Sequence, residues 1–302
     1  MRKIVVVLGL ALAVAITVRA QQPPAAPAAP TFPGQAFQPG PRDWAFPVIT
    51  FIAPPETGEH TVPGSTKKYT TQQIDDLVNP PDWFPDAHPP APALVLKGRA
   101  GALACGSCHL MNGAGHPESA DISGYTADYL VQQMTDFKSG VRKDAARMNG
   151  IAKETTEQEI RELADYFAKM KPTKTTIVKE VSQVPKSYVG GGRMRFLDPK
   201  APNQTEPIGQ RIIEVPENEE RVKLRDPNAD VFIAYAPQGS INKGKQYVES
   251  GGGGKSVNCT ICHGADLMGL GNVPRLAGVH PIYLARQLFL FKDGARNGAD
   301  AP

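Results

Sequence analysis

Cysteine is scarce, with four residues in a chain of 302. That number, arranged as two close pairs far apart, excludes a disulfide framework. Surplus charge is missing too. There are 33 Lys and Arg against 30 Asp and Glu, and three of the basic residues, Arg2, Lys3 and Arg19, fall in the first twenty. The remainder is balanced, which gives no case for nucleic acid or an anionic membrane surface as partner. Beyond residue 20 no apolar run is long enough to cross a bilayer, so no transmembrane segment is expected in the mature chain. With 29 Pro and 29 Gly, much of the chain is expected to be irregular.

The four cysteines make one motif twice: Cys105-Gly106-Ser107-Cys108-His109 and Cys259-Thr260-Ile261-Cys262-His263. A zinc site needs a second pair of ligands within about 12 to 20 residues, and no other cysteine exists. A thioredoxin-like redox pair needs no trailing histidine. Cys-x-x-Cys-His is the attachment signature of a c-type haem, in which two thiols one helical turn apart add to the two vinyl groups and the histidine ligates iron. Two covalently bound haems c are therefore expected, one on Cys105, Cys108 and His109, the other on Cys259, Cys262 and His263.

Residues 1–20 read as a cleaved secretory signal. Arg2 and Lys3 precede an apolar run from Ile4 to Val18, and small residues end at Ala20, where cleavage is expected. An uncleaved anchor is the alternative. Export to the periplasm or an equivalent compartment suits covalent haem attachment. Residues 21–93 form a proline-rich extension that begins as an extended spacer. Within it, Trp44, Phe46, Ile49, Phe51 and Ile52 are apolar enough to dock on a domain, and Thr70 to Val78 offers one short helix. The stretch Pro81-Asp82-Trp83-Phe84-Pro85-Asp86-Ala87-His88-Pro89-Pro90 is expected to cover a haem face with Trp83 or Phe84; His88 as an iron ligand is the weaker use.

A first haem domain is expected over residues 94–172. After His109 and a Gly-rich loop, Leu130, Met134, Phe137 and Val141 recur at spacings of four, three and four, one stripe of a helix. Thr156-Glu157-Gln158-Glu159 opens a second helix as a capping box, with Ile160, Leu163, Ala164 and Phe167 inward and Pro172 ending it. Between them Arg147-Met148-Asn149-Gly150 reads as a polar loop. Its isolated methionine makes Met148 the expected sixth ligand of the first iron, a pairing with histidine that raises the potential and suits electron transfer. Met111 and Met134 are the alternatives, and a core methionine is the ordinary fate.

Shifting the first motif by 154 residues aligns a second segment without a gap: Gly124 on Gly278, Tyr129 on Tyr283, Leu130 on Leu284, Gln133 on Gln287, Phe137 on Phe291, Lys138 on Lys292, Gly140 on Gly294 and Arg142 on Arg296. One domain used twice is the reading. A second helix through Tyr283 to Gly294 is expected, with Pro281 at its first position.

With Cys259-Thr260-Ile261-Cys262-His263-Gly264, Pro274-Arg275-Leu276-Ala277-Gly278, Tyr283, Gln287, Phe291 and Gly294-Ala295-Arg296 in view, the chain resembles small class I cytochromes c of the cytochrome c4 and c553 type. The first segment resembles a more divergent member, with Leu110 where the family usually has Gly. The resemblance covers about half of the mature chain. It implies small helical folds, each around one haem, with histidine on one side of the iron and methionine on the other. It also implies that the Pro274 carbonyl orients His263 through the free ring nitrogen.

The offset carries Met148 onto Pro302, the last residue. A second domain over residues 239–302 is thus expected to be truncated; another ligand, with Met268 or His280 as substitutes, or a five-coordinate iron are the alternatives. Residues 173–238 are too long for a hinge and read as an ordered strap with short strands near Thr175–Val181, Gln210–Val215 and Val231–Tyr235. A flexible linker is the alternative. The fold class is mainly α: two small cytochrome c domains joined by a long irregular strap with a few short β-strands. The function expected is single-electron transfer between a redox protein donor and an acceptor, rather than catalysis. The alternatives are the cytochrome subunit of a membrane dehydrogenase or oxidase complex, or a peroxidase-like enzyme with one five-coordinate haem.

Overall fold

Short elements and frequent turns follow from the proline and glycine content. The computed structural model describes residues 42–52, 57–173, 176–229 and 231–298, all within one unit of residues 38–302. The expected signal peptide and Pro302 lie outside the described residues. Among the described residues there are ten α-helices, two single-turn 3-10 helices and nine short strands.

Strands β1 (Glu59–His60) and β2 (Tyr69–Thr70) pair antiparallel. Helix α1 (Thr71–Ile74) follows under a capping box of Thr70 and Gln73, shorter than the expected run to Val78. Ile74 joins Val62 and Trp83 in a small core of their own. Trp83 donates from Nε1 to the Leu224 carbonyl at 2.8 Å, meets Tyr69 edge to face and, with Phe84, lines a cleft beside the first motif.

The first motif sits in a helical core. Helices α2 (Ala93–Leu96), α3 (Gly106–His109), α4 (Ala127–Ser139), α5 (Met148–Lys153) and α6 (Glu157–Ala168) follow in order. Leu94, Val95, Met111, Tyr125, Leu130, Leu163, Ala164, Tyr166, Phe167 and Met170 form its buried centre. Burying an aromatic or aliphatic side chain of this size contributes about 1.5–3 kcal/mol, so this cluster anchors the segment. Thr126 caps α4 by accepting from the Tyr129 N–H, and Gly140 ends it at φ 82°, a left-handed position glycine takes without strain. That stop leaves Val141 outside the helix and 40 % exposed, so the expected apolar stripe ends at Phe137. The capping box of Thr156 and Glu159 opens α6, and the chain turns before Pro172.

Residues 176–237 hold β3 (Thr176–Val181), β4 (Gln183–Pro185), β5 (Ser187–Val189), β6 (Arg195–Leu197), β7 (Thr205–Pro207), β8 (Ile213–Pro216), α7 (Glu219–Lys223) and β9 (Phe232–Pro237). Strand β9 lies between β3, parallel to it, and β8, antiparallel. Hairpins β4–β7 and β5–β6 complete the segment. Val184, Ile208, Ile213 and Val215 bury its core. Strand β8 begins three residues later than expected, because Arg211 folds back onto the carbonyls of Pro207 and Ile208 and holds a turn.

The second motif is carried by α8 (Ser240–Gly254), α9 (Thr260–His263) and α10 (Pro281–Lys292). Gly251, Gly252 and Gly253 have φ between 63 and 75°, so the α8 run breaks there. Helix α10 starts with Pro281 at its first turn and has no side-chain cap of its own; Glu214 of β8 accepts from the Ile282 N–H at 3.4 Å instead.

Candidate functional site

Each motif forms a single helical turn, α3 and α9, with its first cysteine at the N-cap position. A separation of three residues on a helix puts Cys105 and Cys108 on one face, and Cys259 and Cys262 likewise. None of the four is joined in a disulfide. Burial and the neighbouring Cys108 push the Cys105 thiol up to about 12. The second pair lies nearer the surface, with Cys262 exposed.

The histidines are held the same way in both places. His109 Nδ1 lies 2.8 Å from the Ala120 carbonyl and His263 Nδ1 lies 2.7 Å from the Pro274 carbonyl. Ala120 and Pro274 are themselves separated by the offset of 154. A carbonyl accepts, so Nδ1 carries the proton and Nε2 is left with its lone pair, the form in which an imidazole ligates a metal. Burial holds His109 below its ordinary pKa, which keeps the ring neutral. Two thiols on one face of a helical turn with a tautomer-fixed imidazole after them are the donor set a c-type haem requires. Among the described residues no three His, Cys, Asp or Glu side chains gather as a metal-holding cluster.

Met148 is half-buried and opens α5, so the expected polar loop is in fact the start of a helix. The reason is tertiary. Asn149 donates from Nδ2 to the carbonyls of Phe137 and Arg142 at 2.6 and 2.9 Å, while the Asp144 N–H donates to its Oδ1 at 2.6 Å. Met111 is a core residue: its backbone carbonyl accepts from the Tyr166 hydroxyl at 2.7 Å, and its sulfur packs against Gly106 so closely that a Cβ there would stand 2.8 Å away. Met134 is half-buried on α4. Among the substitutes considered for the second iron, Met268 is 53 % exposed, and His280 is buried with Nδ1 at 2.5 Å from Glu214 Oε1. Both ring nitrogens of His88 face protein oxygens, those of Pro89 and Asp82.

The surroundings of the two motifs differ. Arg225 reaches the Ser107 carbonyl of α3, and Asn112 donates to the Pro227 carbonyl at 3.2 Å, so residues 225–227 lie on the first motif. A cleft of about 130 Å³ beside it is lined by Phe84, His88, Gly106, Leu110, Met111 and Arg225, among others. At the second motif Val257, Ile261, Met268 and Leu270 are more than half exposed.

Sequence reasoning missed how the two segments meet. Arg142 and Arg296 pair as an isolated antiparallel bridge. Arg142 donates to Tyr283 and Gln287 at 3.1 and 3.0 Å, and Arg296 to Tyr129 and Gln133 at 2.9 and 3.1 Å. Each guanidinium also lies over the Phe of its own segment, Phe137 at 4.4 Å and Phe291 at 4.5 Å. The contacts are reciprocal, as a two-fold relation demands. The eight identities found at the offset of 154 include every residue of this set, which was the signal available.

No protein-family model matches the chain. Over 211 residues, 69 % of this chain and 71 % of the other, it is 27 % identical to the thiosulfate dehydrogenase electron acceptor of Thiomonas intermedia. Over 215 residues, 67 % and 74 % of the two chains, it is 25 % identical to cytochrome c4 of Azotobacter vinelandii. Among solved structures, the thiosulfate dehydrogenase of Marichromatium purpuratum aligns with a TM-score of 0.44 at 21 % identity, over 68 % of this chain and about a third, 33 %, of that one. Over about two thirds of its length, then, this chain is similar in sequence to the di-haem cytochromes of the c4 type, the resemblance that its two Cys-x-x-Cys-His segments carry.

Proposed function

We propose that the chain is an exported di-haem cytochrome c that carries single electrons from a donor protein to an acceptor. The observation that supports it best is the repeated geometry of the histidines, each with Nδ1 donating to a carbonyl eleven residues on, at 2.8 and 2.7 Å. Cys105 and Cys108 would hold one haem through thioethers and Cys259 and Cys262 the other, with His109 and His263 as axial ligands. When bound, haem supplies the one-electron chemistry.

The chain's own residues do the rest. Ala120 and Pro274 orient the imidazoles and keep their protons on Nδ1. Asn149 pins the start of α5 and with it Met148, proposed as the sixth ligand of the first iron. The core around Leu130, Leu163 and Phe167 excludes water from the first motif's surroundings. No helix among the described residues is long and apolar enough to cross a membrane.

The name of the Thiomonas relative favours a dehydrogenase as donor, so a membrane or soluble dehydrogenase complex is the partner class proposed. The test is to reduce the full chain, matured with haem-ligation machinery, with a candidate dehydrogenase and its substrate. Reduction of both haems, with release of the electrons to an acceptor cytochrome, is expected. A matured protein that instead turns over peroxide at a five-coordinate haem would replace this reading with an enzymatic one.

A further inference from the structure

The two motifs repeat in sequence but not in what lies over them. Ser107 and Ile261 hold the same place in the two motifs, 154 residues apart, yet Ser107 is 5 % exposed and Ile261 62 %. Cys108 is half-buried where Cys262 is exposed. The cover over the first motif comes from two segments outside the repeat. Arg225, just past α7, donates from Nη1 to the Ser107 carbonyl, and Asn112 donates to the Pro227 carbonyl at 3.2 Å. Trp83, 2 % exposed, ties the N-terminal extension to the same loop through the Leu224 carbonyl at 2.8 Å. The loop is braced from within: Asp226 accepts from Arg221 Nε at 2.7 Å and from the Asn228 N–H at 2.9 Å.

Backbone geometry marks the same contact. Leu110 and Arg225 have φ of 61 and 56°, a conformation that is costly for a residue with a side chain, and both line the cleft beside the first motif together with Trp83, Phe84 and Ala87. At the second motif the place of Leu110 is taken by Gly264, which adopts a φ of 82° freely. Strain of this kind persists only where the surroundings over-determine it, and it collects at functional sites.

Thioether bonds fix one edge of a haem against the turn that carries its cysteines, so what covers the turn covers that edge. Electron exchange between proteins weakens steeply with the thickness of protein between the redox centres. We infer that residues 81–88 and 224–228 form a cap that closes the first haem to redox partners, so that every electron enters and leaves the protein through the second haem. This rests on the di-haem reading. In the outward step the first iron loses one electron to the second, and the second passes one electron to the acceptor, which is reduced by one.

The experiment is stopped-flow oxidation of the fully reduced, full-length matured protein by two one-electron oxidants of opposite charge, hexacyanoferrate(III) and tris(phenanthroline)cobalt(III), in moderate salt, where a surface charge acts over about 10 Å. Ile261→Asp, a carboxylate at the exposed second motif, is expected to lower the hexacyanoferrate rate relative to the cobalt rate several-fold for both electrons, a ratio that cancels any change in haem potential. Ala87→Asp, a carboxylate on the exposed side of the cap, is expected to leave the ratio unchanged. Arg225→Gly removes the covering side chain and relieves the backbone; added to Ile261→Asp, it is expected to return at least one of the two electrons to the wild-type ratio. An electron that keeps the wild-type ratio in Ile261→Asp alone, or an equal response to Ala87→Asp, overturns the proposal, as does a double variant with no electron restored. Matured protein without two haems would instead overturn the di-haem reading itself.

Discussion

Arg142 and Arg296 face each other as an antiparallel bridge, and each donates to the tyrosine and the glutamine that belong to the other's segment. Two like charges so close are held by shared acceptors: Gln133 Oε1 takes a bond from both guanidinium groups, and so does Gln287 Oε1. The glutamines neutralise no charge, but they satisfy donors that would otherwise be buried without partners.

Gln287→Leu should therefore cost about 1–3 kcal/mol, the penalty of leaving buried donors unmade. Urea unfolding of the matured protein measures it. Gln287→Glu, which adds a counter-charge between the two arginines, should cost less; a Leu variant as stable as wild type would show that the bridge is held elsewhere.

At α6 the capping box makes a local claim. Thr156→Ala removes the acceptor for the Glu159 N–H, 3.2 Å away, and should destabilise the protein by about 1 kcal/mol. Thr156→Ser should restore most of it in the same unfolding assay.

These two cases show what the sequence makes legible. The capping box is written in adjacent residues, and the helical stripes and motifs follow from spacing alone. The existence of strands β3, β8 and β9 was also readable from β-branched runs, whereas β4 to β7 are three residues each and are defined by pairing with one another rather than by any run of their own. Met148 was expected in a loop because Arg147, Asn149 and Gly150 around it make a polar stretch rather than an apolar face; the bonds from Asn149 to Phe137 and Arg142 fix the start of a helix there instead. The buried ion pair in which Arg275 donates to Asp121 escaped notice for a different reason. A comparison at the offset of 154 looks for identities, and opposite charges at equivalent positions meet only when those positions lie where the two copies face each other.

His116 predicts a pH dependence. Burial, with His280 and Arg225 adding to it, pushes its pKa down to about 3, below the ordinary value near ~6.5 of the unfolded chain. The folded protein therefore binds fewer protons than the unfolded one between those values. Stability is complete above pH ~6.5 and falls as pH falls toward 3, by up to ~1.4 kcal/mol per pH unit for this one proton. His116→Gln should flatten the dependence in unfolding curves taken at pH 7 and pH 5. An unchanged slope would assign it to other groups.

Met148→Ala tests the proposed sixth ligand. The first haem should stay attached through Cys105 and Cys108 while its methionine–iron charge-transfer band disappears, and its potential should fall. Retention of the band would move the ligand to another methionine.

What the two motifs bind is read directly by the intact mass of the full chain, matured in cells with haem-ligation machinery. The mass of the processed chain plus two haems that survive denaturation, with the absorption of thioether-linked haem, is the result expected. A colourless protein of unmodified mass, or one that retains zinc at its cysteines, would contradict it.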